Sequence, residues 1–151
     1  MTILALALHI LSAVLWVGGM LFAHQVLRPS ASPLEAAVRL PLWARVFARF
    51  LPMVMLAVVL LLVTGYAMVF LVFGGFGGLP LYVDLMQAIG IIMMMIFLHL
   101  FFAPWKRFRR AVAAGDLAAA GRDIEQIRML VGVNLVLGLA VVVIAATGRY
   151  W

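Results

Sequence analysis

Cysteine is absent from this 151-residue chain. Disulfides, thiolate metal sites and iron–sulfur clusters are therefore excluded, and no redox compartment follows from cysteine usage. Charge is also scarce. Charged residues make up 11% of the sequence, against about 25% in ordinary globular domains. There is no pair of carboxylates placed for acid–base work, no Ser/His/Asp constellation and no Cys/His spacing, so hydrolytic chemistry has no support. The glycine-rich run Gly74-Gly75-Phe76-Gly77-Gly78 lacks the Lys-Ser/Thr that completes a phosphate loop, and reads as a turn.

What remains is apolar. Hydrophobic residues reach 68% and mean hydropathy is +1.25. A soluble domain of this size could not hide so much apolar surface from water. Lipid is the solvent that fits. The net charge of +6 does not indicate nucleic acid, because the basic residues sit between apolar runs. It reads as topogenic charge that also attracts anionic headgroups.

Four apolar stretches recur, from about Ile3 to Leu27, Phe50 to Phe73, Leu81 to Trp105 and Met129 to Thr147. Each approaches the ~20 residues that cross a ~30 Å hydrocarbon core as a helix. Only helices or closed barrels satisfy their backbone there. The expectation is an all-α, polytopic integral membrane four-helix bundle forming a single domain over residues 1–151, with helices at about 3–27, 42–73, 81–112 and 117–148. The first stretch lacks a basic leader region and reads as a retained helix. Pro41 to Phe50 reads as an interfacial lead-in to the second helix, with Pro52 as a kink site. Asp116 is placed to cap the fourth.

Arg28, Arg39, Arg45 and Arg49 lie between helices one and two. Lys106, Arg107, Arg109, Arg110, Arg122 and Arg128 lie between helices three and four. The second connection has no basic residue. The positive-inside rule then puts loops 28–49 and 106–128 in the cytoplasm and both termini outside.

Ionisable groups within the membrane are expensive, so each asks for a reason. At 1.5 Å rise per residue two polar layers emerge. The outer one holds His9, Ser12, Thr64, Tyr66 and Gln87, with Asp84 at its rim. The inner one holds His24, His99 and Asn134. His9, Ser12, Trp16, Met20 and Leu27 share one face of helix one, with His24 about 60° away. Asp84, Ala88, Met95 and His99 share a sector of helix three. Neutral imidazole suits haem iron, copper and zinc, and equally suits hydrogen bonding between helices. Gly18-Gly19 admits a flat macrocycle or another helix. Among ten methionines, Met20 and Met95 are the metal candidates because each shares a face with a histidine.

The run from His9 through Trp16 to Gly18-Gly19 resembles the first-helix pattern shared by the CopD copper-resistance membrane family and the HemJ-type protoporphyrinogen oxidases. His99 running into the basic stretch Lys106 to Arg110 resembles their third helix. The resemblance implies a bundle in a bacterial inner membrane. It implies haem b on His9 by the HemJ pattern, or copper uptake or tolerance by the CopD pattern. The HemJ-type proteins carry a lysine early in the third helix, where this chain has Asp84, Met86 and Gln87.

The expected protein binds a metal centre, haem b or copper, through intramembrane histidines. His9 is the first-choice ligand and His24 with His99 a second site. Met20 and Met95 are further metal donors. Trp16, Gln87 and Asn134 serve as wall or orienting groups. Two other functions stay open: a haem-dependent oxidoreductase acting on a porphyrin or quinone, and a membrane assembly protein whose histidines only join helices. Expected partners are the bilayer and the metal or haem, with association to a second copy or a membrane protein left open and no nucleic acid.

Overall fold

A computed structural model of the chain describes residues 2–150. It is all-α among those residues. The long elements are α1 (Thr2–Phe22), α3 (Ala36–Phe73), α4 (Leu81–Phe102) and α6 (Leu117–Thr147), with α2 (Arg28–Ala31) and α5 (Pro104–Ala113) as short extensions. Four spans are long and apolar enough to cross a membrane: Thr2–Ala31, Ala36–Phe73, Leu81–Ala113 and Leu117–Tyr150.

The span surfaces identify the medium. Leu4, Leu11, Val14, Leu56, Val63, Phe70 and Val136 are all exposed. Water would penalise so continuous an apolar coat, whereas hydrocarbon does not. The fold is that of a polytopic membrane protein.

α1 packs mainly on α3, and α4 mainly on α6; α6 also touches α1. Small residues set the closest approaches. A Cβ on Gly19 would overlap the Phe50 ring of α3. A Cβ on Gly138 of α6 would come within 2.9 Å of Val17 and 3.1 Å of Met93, so α1, α4 and α6 meet there. Small residues at helix crossings are how membrane helices gain packing without a hydrophobic drive.

The connections follow local chemistry. α3 begins at Ala36, six residues before the expected start at 42. The Glu35 carbonyl closes its first turn by accepting from Val38 and Arg39 at 3.0 and 2.8 Å. Pro41 and Pro52 both lie inside this continuous helix. At its far end Gly74 and Gly75 take φ +72° and +114°, conformations that favour glycine. α4 stops at Ala103 because Pro104 cannot continue the amide ladder; it opens α5 instead. Asp116 caps α6 by accepting from the Ala119 amide at 2.9 Å.

Directly after α1, Ala23–Leu27 forms a π-helical turn, in which the Arg28 amide bonds the Ala23 carbonyl. The widened turn precedes Pro29, whose ring crowds the carbonyl four residues back. Such turns often mark functional positions, and this one carries His24.

The core thickens toward the basic end. Trp43, Phe47, Trp105 and Phe108 form an aromatic cluster joining α3 to α5, with ring centroids 5.1–6.2 Å apart. Phe108 is fully buried. α5 turns these rings inward and keeps Lys106, Arg109 and Arg110 exposed. It is fastened to α6 by Arg107, which donates to Asp123 at 2.9 Å and to Gln126 at 2.6 Å.

Candidate intramembrane metal site

His9 is half-buried on α1 and faces α3. Its Nδ1 lies 2.9 Å from Thr64 Oγ1. Thr64 is buried, and its hydroxyl donates to the Leu60 carbonyl at 2.5 Å. A threonine hydroxyl has one proton to give. With that proton on Leu60, Thr64 can only accept from His9, so His9 carries its hydrogen on Nδ1. In the neutral ring, Nε2 is then left with a free lone pair. Gly65 makes the approach feasible, since a Cβ there would stand 3.2 Å from the imidazole. This is how proteins orient a metal-binding histidine: one ring nitrogen is held by a hydrogen bond and the other is left as donor. His9 and Thr64 both belong to the expected outer layer.

The other candidates do not gather around His9. His24 lies 15 residues further along the same helical run, about 22 Å by helical rise, so the two cannot share an ion. His24 packs against α6, with Nε2 3.6 Å from the position of a Cβ on Gly132. Its Nδ1 is buried with no hydrogen-bond partner among the described residues. His99 is exposed on the outer surface of α4, and so is Met95. His24 thus faces α6, whereas His99 lies on the exposed side of α4. Met20 is buried in the core.

The orienting groups also resolve individually. Trp16 is buried and meets Phe97 of α4 edge-on, with centroids 5.8 Å apart. Asn134 is buried on α6, and its amide donates to the Met93 carbonyl at 3.1 Å. Its Oδ1 has no partner. It thus ties α4 to α6. Gln87 is half-buried on α4. No group of three or more His, Asp or Glu able to hold a metal ion occurs among the described residues. Gly19 receives Phe50, which settles that position in favour of a helix neighbour; Gly18 faces open space.

The sequence alone did not single out Gly65 or the π-helical turn. The signal for Gly65 was available, since Thr64-Gly65 is a polar-small step at the depth of His9.

Four apolar spans, a neutral polar relay inside them and cations concentrated at one end define a small polytopic membrane protein. A family model, Copper resistance protein D, matches residues 44–147. The chain belongs to the CopD family. The match takes in most of the second span, the third and nearly all of the fourth, including His99 and Asn134, but neither His9 nor His24. No curated protein and no solved structure gives a significant match.

Proposed function

We propose that this copper-resistance membrane protein passes copper through its bundle, with His9 Nε2 as the intramembrane donor. The reading is carried by the Leu60–Thr64–His9 relay, which leaves that lone pair free. Imidazole binds copper well, and Cu(I) tolerates few ligands. A single oriented imidazole, with no cluster of three or more His, Asp or Glu among the described residues, suits transfer better than tight storage. Copper here is cargo. We place the protein in a bacterial inner membrane, with loops 28–49 and 106–128 cytoplasmic and both termini outside, on the distribution of Lys and Arg.

The same nitrogen would be the one to hold haem b, and haem-linked redox is the competing reading. Detergent-purified protein separates the two. Cu(I) titration against a chromophoric competitor is expected to show binding that His9→Ala abolishes. Thr64→Val, which keeps shape but removes the acceptor, is expected to weaken it about ten- to a hundred-fold. A Soret band that disappears in His9→Ala would reassign the site to haem. Undiminished copper binding by His9→Ala would overturn His9 as the donor.

A further inference from the structure

At the basic end, where the π-helical turn and α2 meet the starts of α3 and α6, lies a cavity of about 600 Å³. Three guanidiniums line it, Arg28, Arg39 and Arg128, against one carboxylate, Glu125. Arg39 is anchored, donating to the Ser32 and Leu34 carbonyls at 3.1 and 3.0 Å. Arg128 pairs with Glu125 through Nη1, but its Nε–H is buried and has no acceptor among the described residues. The Arg28 side chain has no hydrogen bond or ion pair with any described residue. His24, also in the wall, keeps Nδ1 buried and unpartnered.

A guanidinium cannot discard its charge by losing a proton. A buried donor left without an acceptor is destabilising. The cavity thus carries excess positive charge, which is the complement of an oxyanion. Arginine forks match phosphate oxygens in pairs.

Depth points to the source. Twenty-six residues separate Thr2 from Arg28, about 39 Å of helical rise, which exceeds a ~30 Å hydrocarbon core. Arg28 therefore stands at headgroup level when Thr2 stands at the opposite surface. Trp43 lines the same cavity and offers an apolar wall beside the charges.

We propose that this cavity is a built site for the phosphate of an anionic phospholipid, held by Arg28 and Arg128 with His24 alongside. It is independent of the copper reading, since it lies at the other end of the bundle from His9.

The test is native mass spectrometry of the full chain released from micelles containing equal phosphatidylglycerol and phosphatidylcholine. Wild type is expected to retain phosphatidylglycerol at least ten-fold over phosphatidylcholine. The double variant Arg28→Gln/Arg128→Gln is expected to lose that preference. Arg45→Gln/Arg49→Gln, which removes two exposed cations outside the cavity, is expected to keep it. Helicity by circular dichroism confirms that both variants fold. Equal retention of the two lipids by wild type, or the same loss in both variants, overturns the proposal. Thermal stabilisation by inorganic phosphate without any preference for phosphatidylglycerol overturns the lipid as source and leaves a free-phosphate site.

Discussion

At the end of the bundle near Thr2 and Tyr150, polar side chains are few, and His9 and Thr64 are bonded to each other. At the other end, guanidiniums outnumber carboxylates, several are loosely held, and a cluster of aromatic rings fills the space between helices. The contrast follows from depth. Within hydrocarbon a polar group has only protein to bond, so Thr64 must serve His9 and Leu60 at once. At headgroup level water and lipid can complete a cation's shell, and charge need not be matched residue by residue. Shape at that end is then held by packed rings, not by ion pairs.

The largest expected effect tests the ring cluster. Phe108 is fully buried among Phe47 and Trp105, whereas Phe70, in the last turn of α3, is 59% exposed. Phe108→Ala is expected to cost about 3–5 kcal/mol of folding stability. Phe70→Ala is expected to change it by less than about 0.5 kcal/mol. Equilibrium unfolding in mixed micelles measures both. Equal losses would show that the basic end is no more tightly packed than the lipid-facing surface.

A second test concerns how closely the spans approach. Gly138 sits between Val17 and Met93, so Gly138→Ala overpacks the junction of α1, α4 and α6. The expected loss is about 1–3 kcal/mol. Gly132, six residues earlier on α6, has only His24 nearby at 3.6 Å, an ordinary contact distance. Gly132→Ala is expected to be tolerated within about 0.5 kcal/mol. A reversed order would mean that α6 packs on its neighbours through the basic end and not through mid-membrane.

Residue types made the class of fold readable, because no soluble arrangement accommodates such a composition. Depth along each helix was readable as well, and it put His9 and Thr64 in one layer. Facing was only half readable. Periodicity groups Asp84, Ala88, Met95 and His99 on one sector of α4, but it cannot say whether a sector faces in or out. The structure turns that sector outward and uses Met93 and Phe97 for the core instead. On α1 the same reasoning had an internal signal, since Trp16 and Gly19 are a large and a small residue suited to helix contact. The early start of α3 was hidden by Pro41, which usually marks a first turn but here lies inside the helix. The cavity was hidden for another reason. Arg28, Arg39 and Arg128 are distant in sequence, and basic loop residues already had a sufficient explanation in membrane topology.

The smallest expected effect bears on whether charge or packing holds the basic end. Arg107 joins α5 to α6 through Asp123 and Gln126, which on a drawing is a conspicuous clamp. Its side chain is 49% exposed, so water and salt compete for the guanidinium. Exposed pairs of this kind contribute roughly 0.2–1 kcal/mol. Arg107→Gln is therefore expected to lose under about 1 kcal/mol, with the loss shrinking in ~1 M salt, where screening acts within about 3 Å. Unfolding of the variant beside Phe108→Ala, at low and high salt, makes the comparison direct. If Arg107→Gln cost as much as removing the Phe108 ring, and salt left that cost unchanged, ion pairing would have to be counted as the main fastening of α5. The aromatic cluster would then be filling space that the charges had already fixed.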